Sequence, residues 1–338
     1  MKLVIQIPCY NEEETLPITL AELPREVEGV DEVEWLVVDD GSEDRTAQVA
    51  RDHGVDNVVS LTRNQGLARA FVRGLEASLA AGADVVVNTD ADNQYDADDI
   101  PELVRPVLEG RADIVVGERP IGEMEHFSGV KRLLQRFGSW VVRVVSGTDV
   151  ADAPSGFRAM SREAARRLKV FNEYTYTLET IIQAGHKGMA VTSVPIRTNQ
   201  QTRPSRLIRS LPGYLRRQVL TIVRIFVTYR PFFFFAVLGL AVFGAGFLIS
   251  LRFLYFYLTG DGAGHVQSLI LSALLMGSGF FLGLVGLLAD LISVNRKLLE
   301  ELDARIGRME ETDDRVDNGE SSTSGLRGEH GEHGARTG

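Results

Sequence analysis

Asp90 and Asp92 are separated by one residue, and Gln94 follows at the same alternation. In a locally extended turn, alternate side chains converge, and hard divalent cations take oxygen ligands of this kind. Asp92 and Gln94 are the expected metal ligands, with Asp90 beside the metal or a sugar. A Mg2+ or Mn2+ ion held there can bridge the oxygens of a departing nucleoside diphosphate, as cleavage of a sugar–phosphate bond requires. Asp39 and Asp40 carry carboxylates that can accept hydrogen bonds from base and ribose donors. Each cluster is weak alone. Asp39-Asp40-Gly41-Ser42 is equally a turn and helix cap, and Asp-x-Asp is equally a turn.

Position strengthens the case. The apolar runs Leu3–Ile7, Trp35–Val38, Val58–Leu61, Val85–Val87 and Ile114–Val116 are expected to be buried strands. Helical spacing occupies about 12–23, 44–53, 67–81 and 99–109 between them. Strands alternating with helices give an α/β fold with a mostly parallel sheet flanked by helices. Such sheets bind ligands beyond the carboxyl ends of their strands. The first strand runs into Pro8-Cys9-Tyr10-Asn11-Glu12-Glu13 and the second into Asp39-Asp40-Gly41-Ser42-Glu43-Asp44. The third runs into Arg63-Asn64-Gln65-Gly66-Leu67-Ala68 and the fourth into Asp90-Ala91-Asp92-Asn93-Gln94. Four polar clusters in order, each at a strand end, argue for one site.

Pro8-Cys9-Tyr10-Asn11-Glu12, Asp39-Asp40-Gly41-Ser42, Asp90-Ala91-Asp92-Asn93-Gln94 and Ser155-Gly156-Phe157-Arg158 together resemble the motifs of glycosyltransferase family two. The resemblance is closest to its dolichyl-phosphate or polyprenyl-phosphate mannosyl- and glucosyltransferase branch and covers roughly residues 1–210. It implies a GT-A type fold and a metal-dependent, inverting transfer of a hexose from a UDP- or GDP-linked donor to a lipid phosphate. Pro8, Tyr10, Asn11, Glu12, Asp39, Asp40, Asn64, Gly66, Asp90 and Ala91 are then the nucleotide-sugar residues. Asp90, Asp92, Arg119 and Asp152 are the catalytic set, and Asp92, Gln94 and Asp90 the metal set. The resemblance also places Lys131, Arg132, Ser155, Arg203, Ser205 and Arg206 at the acceptor phosphate. Arg203-Pro204-Ser205-Arg206 departs from the family's usual Arg-x-x-x-Ser-Lys, with Arg206 in place of the lysine and Pro204 intervening.

A lipid phosphate is already ionised at neutral pH and needs no strong general base. Charge neutralisation and in-line positioning are then the catalytic needs. Asp152 lies where sugar-to-sugar members of the family place a base, and is taken here to orient the acceptor loop or the sugar.

The C-terminal third has another character. Pro231–Leu251 and Ser268–Ala289 contain no charged residue, and each reaches the roughly 20 residues that cross a hydrocarbon core. Arg216, Arg217, Arg224 and Arg230 precede this hairpin, and Arg296 and Lys297 follow it. The positive-inside rule then places the catalytic domain and both termini in the cytoplasm of a multi-pass cell-membrane protein. The expected division is a catalytic domain over 1–206, a juxtamembrane amphipathic segment over 207–230, and transmembrane helices at about 231–251 and 268–290 within 231–292. A charged helix over 293–311 and a disordered tail over 312–338 complete it. One lysine and then an apolar strand at the N-terminus, without a small-residue cleavage site, argue against a signal peptide.

A net charge of −10 argues against a general nucleic-acid binder, which would show a basic face. Cys9 is the only cysteine, which excludes an intrachain disulfide. Rival readings remain. A transferase acting on a saccharide or lipid hydroxyl would need Asp152 as a base. A nucleotidyltransferase would need a Gly-rich phosphate loop, absent here. A silent membrane adaptor has no use for Asp90, Asp92 and Gln94 together, and a channel would carry charge inside its spans. Gly239, Gly244 and Gly246 allow close helix packing and leave a homo-oligomer open.

Overall fold

The computed structural model describes residues 1–120, 129–170, 176–199, 220, 223–224, 227–260 and 265–325. All five apolar runs are strands: β1 (Lys2–Cys9), β2 (Glu32–Asp39), β3 (Asn57–Ser60), β4 (Val85–Asn88) and β5 (Ile114–Glu118). The four expected helices follow as α1 (Leu16–Glu22), α2 (Thr46–Asp52), α3 (Leu67–Ala80) and α4 (Ile100–Leu108). Beyond them come α5 (Gly129–Ser146), β6 (Arg158–Ser161), α6 (Arg162–Arg167), α7 (Tyr176–His186) and β7 (Val191–Pro195). The Ser161 side chain caps α6 by accepting from the Ala164 N–H at 3.1 Å.

The seven strands form one sheet in the order β3-β2-β1-β4-β6-β5-β7. Only β6 is antiparallel to its neighbours β4 and β5. β1, β4 and β5 are rich in Val, Ile and Leu and are almost wholly buried, as strands covered on both faces are. Leu3, Ile5, Ile7 and Cys9 of β1 share one core with Leu16 and Leu20 of α1, Ala50 of α2, and Ile100, Leu103 and Val104 of α4. Gln6 looks the other way, where its amide donates to the Phe71 carbonyl of α3 at 3.4 Å.

The chain divides into two compact units, Met1–Val223 and Arg224–Gly338. The second contains α8 (Pro231–Leu258) and α9 (Val266–Gly325). Over Pro231–Leu258 and Val266–Asn295 the mean hydropathies are 2.5 and 2.1, so both helices are long and apolar enough to cross a membrane. Only 11% and 17% of their apolar windows are buried within the protein, unlike the core helices of a water-soluble domain. The expected spans 231–251 and 268–290 fall inside these helices. α9 runs on through 293–311 and through 312–325, a stretch whose composition suggests a tail. Glu, Arg and Leu sustain the helix over 293–311, and no proline interrupts it beyond. Residues 326–338 and most of the juxtamembrane segment 207–230 lie outside the described residues.

Candidate active site

Strand register brings the motifs together. Cys9 of β1 pairs with Asp39 of β2, and Asp39 with Ser60 of β3. Asn88 at the end of β4 lies between Gln6 of β1 and Arg158 at the start of antiparallel β6. The segments after β1, β2, β3, β4 and β5, and the segment before β6, therefore open at one edge of the sheet.

The loops after β1, β2 and β3 are tied to one another. Asn11 takes a left-handed φ of 54°. Its N–H donates to Ser42 Oγ at 2.9 Å, and its Oδ1 accepts from the Glu43 N–H at 2.8 Å. The Glu12 N–H donates to Thr46 Oγ1 at 2.8 Å, while Glu12 Oε2 accepts from Thr15 Oγ1 at 2.6 Å. Asp39 Oδ1 accepts from the Ser42 N–H at 3.0 Å. Asp40 is buried and takes the backbone N–H groups of Gln65 and Gly66, each at 2.8 Å. Burial raises its pKa, and these two donors partly offset the rise. Gly41 has φ 68°, and a Cβ there would stand 2.4 Å from the Arg63 carbonyl carbon. Only glycine lets the two loops approach so closely. Pro8 is buried, whereas Tyr10 and Asn64 are exposed.

The loop after β4 is held from behind. Thr19 Oγ1 of α1 donates to the Ala91 carbonyl at 3.0 Å, and Asn199 N–H, past β7, donates to the Gln94 carbonyl at 2.9 Å. Asn93 adopts φ 55°, and Asp92 Oδ1 accepts from the Gln94 N–H at 3.2 Å. Asp90 retains partial solvent access but is otherwise enclosed. Desolvation, and then the charge of Asp92, push its carboxyl up to about 7, against the pull of Arg119 and a hydrogen bond from Tyr95. Among the described residues no three His, Cys, Asp or Glu side chains gather as a metal site. The candidate set is instead two carboxylates and an amide. Its hard oxygens, and the like charges of Asp90 and Asp92 side by side, fit a divalent cation.

Arg119, one residue past β5, meets Asp152 twice. Its Nε lies 2.7 Å from Oδ2 and its Nη2 3.1 Å from Oδ1. The Arg119 backbone N–H also donates to Oδ2 at 3.3 Å. The Ser155-Gly156-Phe157-Arg158 motif stands beside this pair. Arg158 is wholly buried and donates to the carbonyls of Ser155 and Ala153 at 2.8 and 2.7 Å and to Thr180 Oγ1 at 2.5 Å. Burial pulls its pKa down to about 10, so it remains charged at neutral pH. Its place is internal, bracing the loop. Ser155 Oγ is buried without a hydrogen-bond partner among the described residues. Gly156 accepts at its carbonyl from Asn88 Nδ2 at 2.9 Å, and that amide also reaches the Tyr176 hydroxyl at 3.1 Å. Asn88 and Tyr176, which sequence reasoning passed over, thus set the floor of the site. Lys131 and Arg132 fall within α5, with side chains outside the described residues, and Arg203, Ser205 and Arg206 also lie outside them.

Residues 4–169 match the model of glycosyl transferase family 2. A relative from Micrococcus luteus named undecaprenyl-phosphate mannosyltransferase is 30% identical over 206 residues, 58% of this chain and 83% of its own. The chain belongs to glycosyl transferase family 2. This glycosyltransferase is also 29% identical over 218 residues to a Methanococcus voltae protein named UDP-N-acetylglucosamine–dolichyl-phosphate N-acetylglucosaminyltransferase, covering 57% of this chain and 83% of that one. Among solved structures, glucosyl-3-phosphoglycerate synthase from Mycobacterium tuberculosis, in complex with Mn2+, UDP-glucose and phosphoglyceric acid, superposes with a TM-score of 0.52 at 25% identity. It covers 65% of the glycosyltransferase and 79% of its own chain. The mixed sheet, with its flanking helices, is accordingly of GT-A type.

Proposed function

We propose that the glycosyltransferase moves a hexose from a UDP- or GDP-linked donor to dolichyl or polyprenyl phosphate, with inversion, at the cytoplasmic face of a membrane. One observation carries this reading: Asp90, Asp92 and Gln94 share a sheet edge with the Arg119–Asp152 pair, in a chain that also has two membrane-length helices. The names of the Micrococcus and Methanococcus relatives, both of which join a sugar to a lipid phosphate, support it. They differ in the sugar, so the hexose stays open.

Asp92 and Gln94, with Asp90 beside them, would hold Mg2+ or Mn2+, whose chemistry is to neutralise charge on the departing nucleoside diphosphate. The Asn11 turn and the Asp39–Asp40 loop would receive the base and ribose. Arg119, kept in place by Asp152, adds fixed positive charge for the diphosphate. Lys131, Arg132, Ser155, Arg203, Ser205 and Arg206 would receive the acceptor phosphate. That phosphate attacks as an anion, so no side chain need remove a proton. Asp152, already engaged by both Arg119 nitrogens, is poorly suited to act as a base, which counts against a hydroxyl acceptor.

The test is transfer of radiolabel from UDP- and GDP-hexoses into organic-extractable lipid, using membranes that contain the protein. Metal-dependent label in an acid-labile lipid, requiring added polyprenyl or dolichyl phosphate, is the expected result. Label that appears only with a saccharide or sugar-bearing lipid would replace the lipid phosphate by a hydroxyl acceptor. No label from any donor would favour a silent adaptor.

A further inference from the structure

Tyr95 follows Gln94 and has no part in the reaction just described. It is 4% exposed, and its ring stacks on Phe157 with centroids 5.0 Å apart. Its backbone pairs with Thr198 past β7, and its carbonyl accepts from Asn199 Nδ2 at 3.4 Å. Its hydroxyl oxygen accepts the Gly156 N–H at 3.1 Å. The same hydroxyl lies beside the Asp90 carboxyl and favours its ionised form. Asp90 also packs against Gly156, where a Cβ would stand 3.2 and 3.3 Å from its two carboxyl oxygens. One hydroxyl thus links the loop before β6 to the first aspartate of the loop after β4.

We propose that Tyr95 is a positioning residue for sugar transfer: its hydroxyl, anchored on the Gly156 N–H, fixes the orientation of the Asp90 carboxyl. A carboxylate beside the like charge of Asp92 turns away unless a donor holds it, and a charge-assisted hydrogen bond is strong enough to do so. The same bond joins the orientation of Asp90 to the position of the Ser155–Arg158 loop. This inference rests on the proposed role of Asp90 at the donor sugar or metal.

Tyr95→Phe keeps the ring and its stack and removes only the hydroxyl. In membranes containing the full chain, kcat should fall roughly 10–100-fold, as misplacement of a reacting group does. KM for the nucleotide-sugar and the thermal inactivation midpoint should stay near their wild-type values. In an Asp90→Asn background, the same change should cost at most about twofold, because the hydroxyl acts through Asp90. A kcat per folded molecule equal to wild type would overturn the proposal, as would the same full loss in the Asp90→Asn background. If Tyr95→Phe fails to fold, 3-fluorotyrosine at position 95 keeps both bonds with a more acidic hydroxyl. A changed kcat at unchanged KM then supports the proposal, and an unchanged kcat overturns it. A wild-type chain that labels no lipid would refute the acceptor assignment alone. Tyr95 is then read from metal-dependent release of the hexose to water, with the same expected ratios. Inertness in both assays would overturn both readings.

Discussion

The Arg119 guanidinium grips the Asp152 carboxylate with two nitrogens, at 2.7 and 3.1 Å, across 33 residues of sequence. Asp152 is fully buried, and the Arg119 side chain is 12% exposed. Two parallel bonds fix the plane of the guanidinium as well as its place, which suits the diphosphate contact proposed for Arg119. Removal of either partner takes the bidentate contact from a charge that is largely buried.

Asp152→Ala should therefore destabilise the catalytic domain by about 3–5 kcal/mol, as broken buried pairs do. Denaturant unfolding of the protein would measure this. Asp152→Asn retains acceptor and shape and should be milder. If Asp152 works through Arg119, the rate losses of Asp152→Asn and Arg119→Lys should be far from additive in the double variant. Additive losses, together with loss of one limb of the pH–rate profile in Asp152→Asn alone, would restore Asp152 as a general base.

Asp92→Ala should abolish transfer while the protein still inserts into membrane, and EDTA should do the same to the wild type, reversibly on addition of Mg2+ or Mn2+. Burial, and then the neighbouring charge of Asp92, push the Asp90 carboxyl up to about 7, and a bound cation relieves such a pair. Full activity in Asp92→Ala, measured by label transfer, would remove the metal assignment.

Gly41→Ala should harm two loops at once. The new methyl would meet the Arg63 backbone at 2.4 Å, and φ 68° strains any residue with a Cβ. The loop cannot shift without releasing Asp40 from the Gln65 and Gly66 N–H groups. A loss of about 1–3 kcal/mol in stability is expected, with KM for the nucleotide-sugar raised more than KM for the lipid. Calorimetry and donor titration would check both parts, and a raised lipid KM alone would count against this loop's place on the donor side.

The sheet was legible in sequence where its strands hold apolar runs buried on both faces, as in β1, β2 and β4. β6 was not, because four residues beginning with Arg158 carry no strand signal; pairing on both sides makes them a strand. β7, Val-Thr-Ser-Val-Pro, does not alternate, is half-buried and ends in a proline, so its pattern is faint. The clusters after β1, β2, β3 and β4 also foretold which segments meet, since each follows a strand of the parallel part of the sheet. They could not foretell the bonds among them. Asp40 answers N–H groups 25 and 26 residues away, and Asp152 an arginine 33 residues away. Arg119 and Arg158 have the same charge in sequence, and only tertiary burial makes one face the site and the other brace its loop.

In the membrane-length hairpin, Gly239 and Gly279 let α8 and α9 touch backbone to backbone. A Cβ on Gly239 would stand 2.7 Å from the Gly279 carbonyl oxygen, and one on Gly279 would stand 2.6 Å from that of Gly239. Seven residues on, Gly246 faces Leu275 and Met276 at 2.9 Å, and Gly286 faces Phe235 at 3.0 Å. Gly244, Gly277 and Gly283 meet nothing within 4 Å. Of the three glycines that the sequence marks for close packing, Gly239 and Gly246 serve the hairpin itself, and Gly244 does not. Without a hydrophobic driving force between helices in lipid, such close approach is a main source of association. Gly279→Leu should therefore force the helices apart and lower hairpin stability by about 1–3 kcal/mol. Gly277→Leu, two residues away on an open face, should leave it near wild type. Thermal unfolding in detergent, followed by circular dichroism, would compare them, and equal losses in the two variants would refute this packing.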